Sequence, residues 1–256
     1  MNYNIRYSCI CHIGNCRSIN QDNFTCDNQY LQMNGANMNF PLCGVKSIKE
    51  NPVFGVFDGL GGEDCGEVAS YIAARIACDW KVEKDPPAEL SRFCQKANID
   101  ICNYASENGV FAMGTTAAML AFTNKGISLC NIGDSKIFRF CDGILEQISK
   151  DHVAAAAFGV KPPLSQNLGI PPTEMLIDPY LAQGVYNHGD IYLICSDGLT
   201  DMVTTEDITQ TLKTKPIDAA ASELLQKALK NGGRDNITII LCEIQRKSGW
   251  FFAWKR

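Results

Sequence analysis

Four aspartates lie where apolar runs meet glycine-rich or polar turns: Asp58 in FGVFDGLGG, Asp197 in IYLICSDGL, Asp134 in LCNIGDSK and Asp235 in GGRDNITIIL. Apolar runs of this kind read as buried strands, so each carboxylate is expected at a strand boundary. The glycines after Asp58 permit backbone conformations that a side chain would forbid, and a tight turn is expected there. Such a turn can aim the Asp58 carboxylate and the Gly59 carbonyl at one point, and hard oxygens at a strand end suit a divalent cation. Asp-Gly is also an ordinary turn dipeptide. The recurrence of the pattern is what favours a carboxylate-lined metal centre over turn chemistry alone.

The elements that must carry these residues follow from the periodicity. Residues 4 to 13 and 22 to 31 read as two strands joined by the polar connection GNCRSINQD, which holds Arg17 and Asp22. Residues 32 to 52, with two glycines and two prolines, read as an irregular surface excursion before the strand that ends at Asp58. Val68, Ile72, Ile76 and Trp80 recur every four residues, which places them on one face of a helix whose first turn carries Glu63, Asp64 and Glu67. After Pro86-Pro87 a second helix presents Leu90, Phe93, Ala97, Ile101 and Tyr104, and Gly109 stops it.

From residue 113 short apolar runs separated by Asn-Lys-Gly, Gly-Asp and Asp-Gly predict a meander of antiparallel strands. Residues 151 to 189 read as irregular. A strand at 190 to 196, a helix from near Thr204, a helix from Pro216 to Lys230 and a strand at 236 to 244 complete the body. Helices come in pairs and strands in runs, which argues for antiparallel sheets with helices packed outside, an α+β arrangement, rather than a doubly wound parallel sheet.

Composition narrows the function. The net charge is −5, from 23 basic and 28 acidic residues with no long block of either sign, so no nucleic-acid footprint is expected. That removes the basic groove a metal nuclease would need. The thirteen cysteines are scattered, never spaced as CxxC, and accompanied by only three histidines, which gives a structural zinc site weak support. They read as reduced thiols, with Cys78, Cys94, Cys130, Cys195 and Cys242 as small core hydrophobes. No apolar stretch reaches the ~20 residues of a membrane span, and the opening residues lack a secretory pattern. The expected location is the cytoplasm.

The motifs RSINQDNF, VFDGLGG followed by GEVAS, GTTAAML, NIGDSKIF, SDGLTDMV and GGRDNIT stand in the order and rough spacing of the metal-dependent serine/threonine protein phosphatases. From about residue 4 to 245 the chain resembles that family, protein phosphatase 2C, in its bacterial form. The resemblance implies an α-β-β-α sandwich of two antiparallel sheets flanked by helix pairs, as a single domain over 1–245 with an aromatic and basic tail at 246–256.

It also implies two Mn2+ or Mg2+ ions bridged by Asp58, with the Gly59 carbonyl on one and Asp197 and Asp235 completing the other. Asp134 matches the carboxylate of a weaker third ion, Asp22 a holder of metal-bound water, and Arg17 the phosphate-binding arginine. The implied reaction is hydrolysis of phosphoserine and phosphothreonine in proteins by a hydroxide bridging the two ions, with the phosphoprotein products of a serine/threonine kinase as partners and a monomeric enzyme. A catalytically weak phosphoprotein-binding module on the same fold is the alternative, against which the retained carboxylates count.

Three departures stand out. Leu60 replaces the histidine that eukaryotic members often carry after the Asp-Gly pair, which leaves protonation of the leaving group to a metal-bound water. The flap between 151 and 189 is short, so substrate preference transfers least. Gln21 stands where many members have Glu and removes one charge from the water network. His152, in KDHV, is expected to hold a loop rather than a metal.

Overall fold

The computed structural model describes residues 3–33, 37–60, 65–155 and 162–247. Twelve strands and five α-helices occur among them. In chain order these are β1 (Tyr3–His12), β2 (Asp22–Thr25), β3 (Leu42–Ser47), β4 (Val53–Leu60), α1 (Gly66–Asp79), α2 (Pro86–Asn108), β5 (Gly114–Thr115), β6 (Ala117–Thr123) and β7 (Gly126–Ile132). There follow β8 (Lys136–Cys141), β9 (Ile144–Gln147), β10 (Tyr180–Gly184), β11 (Ile191–Cys195), α3 (Asp197–Thr200), α4 (Thr205–Thr214), α5 (Ile217–Lys230) and β12 (Ile237–Arg246).

The strands form two antiparallel sheets, one ordered β3-β1-β12-β11-β8-β9 and the other β10-β7-β6-β4-β2, with β5 pairing the end of β4. Three apolar layers hold them. Ile5, Phe24, Phe54, Leu120, Tyr192 and Ile240 fill the space between the sheets. Phe54, Phe122 and Tyr192 meet there edge to face, with centroids 5.9 and 5.5 Å apart, a geometry worth about 1 kcal/mol per pair beyond the area buried. Val68, Ala73, Phe93 and Ile101 seat α1 and α2 on the second sheet, while Ile208, Leu212, Ala221 and Leu224 seat α4 and α5 on the first. The expected sandwich with helix pairs outside is the observed one.

Several local expectations differ from the structure. The second strand stops at Thr25, because Asp27 and Asn28 take left-handed conformations in a turn closed by Cys26 and Gln29. The excursion at 32 to 52 contains β3, which pairs β1 as an edge strand, and a capped 3₁₀ turn at Ile48–Glu50. Its glycine and prolines hid an edge, where the pattern is weakest. The meander does not stay in one sheet: β6 and β7 belong to the second, β8 and β9 to the first, and the chain crosses at Gly133-Asp134-Ser135. The segment at 151 to 189 carries β10, which pairs β7. Cys94, Cys130, Cys195 and Cys242 are buried as expected, whereas Cys78 is only partly so. Glu63 and Asp64 of the expected first helical turn, and the tail beyond Lys247, lie outside the described residues.

Candidate metal and phosphate site

The site residues gather at one rim of the sandwich, where strands from both sheets end. In the β2–β4 ladder Asp22 stands directly opposite Asp58. Asp58 is fixed by its backbone. Its N–H donates to Thr116 Oγ1 at 3.0 Å, and its carbonyl accepts from the Thr116 N–H at 2.9 Å and from Thr115 Oγ1 at 3.0 Å. Thr116 in turn shares a 2.7 Å hydrogen bond with Ser135, which ties the GTT run to the Gly133-Asp134-Ser135 crossing between the sheets. Asp134 arrives beside Asp58 by this route.

The strand does not end at Asp58, as the turn chemistry suggested, but runs on to Leu60. Gly59 is required by crowding rather than by an unusual φ. A Cβ there would lie 2.3 Å from the Gly66 carbonyl oxygen and 2.4 Å from that of Gln21. The start of α1 is thereby packed onto the strand beside the Gly59 carbonyl.

A second close approach joins the chain segments that carry Asp197 and Asp235. A Cβ on Gly198 would fall 1.9 Å from the Asn236 carbonyl oxygen, so only glycine lets the start of α3 sit against the turn before β12. This contact brings Asp197 and Asp235 together from residues far apart in the chain. Asn236 also organises the RSINQD connection: its Nδ2 donates to the carbonyls of Ile13 and Ile19 at 2.9 and 3.1 Å, and its Oδ1 accepts from the Gln21 N–H at 2.8 Å. The Gln21 carbonyl then accepts from the Gly59 N–H at 3.1 Å. One residue thus links the two Asp-bearing turns to the Asp58 strand.

The electrostatics follow from this crowding. Burial first, then the charges of Asp22, Asp197, Asp134 and Asp235, raise the Asp58 carboxyl well above the usual carboxylate range. Asp22, 3 % exposed, is pushed up to about 7, chiefly by burial and further by Asp197 and Asp235. Hydrogen bonds to its Oδ2 from Ser196 Oγ and Thr238 Oγ1, each 2.7 Å, oppose that shift. Its Oδ1 is buried without a partner. Asp197 and Asp134 are also nearly buried, each 8 % exposed.

Arg17 lies at the rim and pairs with Asp235 Oδ2 at 2.7 Å, half-exposed, within the field of Asp58 and Asp197 as well. The arginine expected for phosphate is therefore engaged with an expected metal ligand. Among the described residues, no three Asp, Glu, His or Cys side chains meet closely enough to hold one ion. The donor chemistry nonetheless fits a hard divalent cation: an all-oxygen set, like charges crowded together, and a buried carboxylate oxygen left bare.

Ser196, Thr238, Asn236 and the Thr115-Thr116 pair position the carboxylates, and reading the motifs for their acidic residues passed them over. All lie inside the motifs, and for Asp197, Asp235 and Asp134 the signal was the adjacent Ser196, Asn236 or Ser135, whereas the Thr115-Thr116 pair stands far from Asp58 in the chain. His152 uses its backbone, donating to Gly133 O and accepting from the Ser165 N–H at 2.9 Å each. It holds the start of the segment at 151 to 189 to the Gly133 turn. Among the described residues no helix is long and apolar enough to cross a membrane.

Two sheets with helix pairs outside and aspartates gathered at one rim define a class of hydrolase, and the profile of protein phosphatase 2C matches residues 43–232. The chain belongs to the protein phosphatase 2C family, a family of serine/threonine protein phosphatases. It is 30% identical over 221 residues to the serine/threonine phosphatase stp of Listeria monocytogenes, covering 78% of this chain and 88% of that one. It is 31% identical over 203 residues to the serine/threonine protein phosphatase PstP of Mycobacterium tuberculosis, covering 73% of this chain and 39% of that longer protein. The PstP catalytic domain, crystallised in complex with two manganese ions, superposes with a TM-score of 0.78 at 25% identity, covering 95% of this chain and 100% of that one.

Proposed function

We propose that this chain removes phosphate from phosphoserine and phosphothreonine in proteins, with Asp58, Asp197, Asp235 and the Gly59 carbonyl holding two Mn2+ or Mg2+ ions. The observation that carries the reading is the convergence on Asp58 of four further aspartate charges from both sheets. Such a cluster is stabilised by cations and destabilised without them. Asp134 would serve a weaker third ion. A bound cation pair supplies hydroxide at neutral pH and neutralises the phosphoryl oxygens.

The chain's own residues do the rest. Asp22, its Oδ2 held by Ser196 and Thr238, keeps a buried Oδ1 without a protein partner, which would accept a hydrogen bond from a water held at the cations. Arg17 presents a planar guanidinium at the rim, and a phosphate dianion competes with Asp235 for that fork. Leu60, two residues beyond Asp58 on β4, offers no proton to the departing hydroxyl. The phosphatase domain spans 1–245 and works as a cytoplasmic monomer on the products of a serine/threonine kinase. A binding module without turnover gains no support from relatives that are themselves phosphatases.

Release of inorganic phosphate from a phosphothreonine peptide with Mn2+ tests the proposal. Asp58→Asn and Asp235→Ala are expected to lose at least about 100-fold in kcat, the scale of removing one preorganised electrostatic group. Equal turnover by both variants would overturn the assignment.

A further inference from the structure

Beside the carboxylate cluster runs a groove of about 460 Å³ that the reaction itself does not use, lined mainly by apolar residues such as Leu60, Phe111, Met113 and Ile170, with Asn167 and Glu174 among its polar ones. Its floor is continuous with the site. β5 pairs Gly59 and Leu60 of β4, and on its other side Thr115 exchanges backbone hydrogen bonds of 3.0 and 2.9 Å with Leu168. The root of the short flap is therefore a third strand-like ribbon laid against the strand that carries Asp58.

The buried Asn98 of α2 locks this root. Its Oδ1 accepts from the N–H groups of Gly169 and Ile170 at 2.6 and 3.1 Å, and its Nδ2 donates to the Ile170 carbonyl at 2.9 Å. Gly169, at φ +105°, has no room for a side chain, since a Cβ would lie 2.3 Å from the Met113 carbonyl oxygen. The groove is thus a rigid feature of the fold. Phe111 nevertheless projects from its rim fully exposed. An aromatic ring left in water at the edge of an apolar channel marks a binding surface more often than a lone exposed apolar residue does.

We infer that this groove receives an apolar side chain of the substrate polypeptide, within three residues of the phosphorylated one. The inference rests on the phosphatase reading of the adjoining site. Asp58 and Leu60 stand two apart on one strand and so share a face, with their Cα atoms about 6.6 Å apart at the usual rise of a strand. That is the span of two residues of an extended peptide. A phosphorylated side chain at the carboxylate cluster therefore places a neighbour's side chain over Leu60, between Phe111 and Ile170.

The test is a set of phosphothreonine peptides in an alanine background, with a single leucine walked from three positions before to three positions after the phosphothreonine. Hydrolysis is followed as phosphate release with Mn2+, and p-nitrophenyl phosphate serves as the substrate with no peptide. One leucine position is expected to raise kcat/KM about 10-fold over the all-alanine peptide, mostly through KM, the scale on which an apolar pocket discriminates. In Ile170→Asp the leucine-to-alanine ratio is expected to fall to about 2 or less. Phe111→Ser, a change at a fully exposed position, is expected to reduce the same ratio and keeps the test valid if Ile170→Asp does not fold. Hydrolysis of all peptides with equal kcat/KM overturns the groove and leaves the phosphatase reading intact. No hydrolysis of any peptide or of p-nitrophenyl phosphate overturns both.

Discussion

Asp22 faces Asp58 across the β2–β4 ladder, with two hydroxyls on one of its carboxylate oxygens and nothing on the other. Two carboxylates opposed at one rung, Asp22 buried and Asp58 partly so, resist ionising together without a compensating charge. Asp197 and Asp235 add to the same field, and so does Asp134 at Asp58. Around the Asp22–Asp58 pair, Ser196, Thr238, Thr116 and Asn236 hold backbone and side chains in place as neutral partners, and Arg17, on Asp235, is a cation that faces the cluster.

The first prediction concerns pH in the presence of a chelator. Asp22 titrates near 7 in the folded chain, above its ordinary value near 3.8. Between those values the folded chain holds a proton that the unfolded chain has lost, so this group makes the protein less stable as pH rises through that window. Asp22→Asn removes the effect. The variant and the parent should melt within about 2 °C at pH 4, and the variant should melt higher by roughly 3 °C or more at pH 8. A difference in melting temperature that does not change with pH would show that Asp22 carries no such burden.

Gly198→Ala separates the two Asp-bearing turns, because its Cβ would need the space of the Asn236 carbonyl. The expected cost is about 1–3 kcal/mol of stability, typical of overpacking against backbone. The more specific expectation is that added Mn2+ raises the melting temperature of the variant much less than that of the parent. Equal cation-induced stabilisation in a thermal melt would mean that the Asp197–Asp235 approach does not matter for the ions.

Arg17 predicts a split between stability and substrate affinity. Its pair with Asp235 is half-exposed at the rim, and pairs open to solvent contribute about 0–1 kcal/mol. Arg17→Ala should therefore change the chemical-denaturation midpoint little while raising KM for a phosphopeptide about 10-fold, the loss expected when a charge-assisted fork is removed. Arg17→Lys should recover only part of this, since an ammonium lacks the planar two-point contact. Unchanged KM in Arg17→Ala would assign the residue to Asp235 alone.

The aspartates and the paired helices were legible in the sequence because they sit on the strongest periodic signals. Val68, Ile72 and Ile76 mark one face of α1, and Gly109 ends α2 in the left-handed conformation that glycine favours. What was hidden shares one cause. β3 is an edge strand with alternating burial and β10 only a partly buried one, so neither shows a continuous apolar run. The sheet-to-sheet crossing at Asp134 looks like any hairpin turn until the partners of β8 are known. Gly59 and Gly198 were readable as turn glycines, yet their necessity comes from chain segments that approach from elsewhere, and a local pattern does not carry that information. The Arg17–Asp235 pair belongs to the same category, since 218 positions separate the two residues.

The most direct test of the central claim is a calorimetric titration of the chain with Mn2+, run in parallel on Asp58→Asn. If aspartates from both sheets share a cation pair through Asp58, the parent binds two ions per chain and the variant loses at least one of them, with an accompanying loss of metal-induced thermal stabilisation. Identical stoichiometry and affinity in the two proteins, or no binding in the parent, would contradict the account.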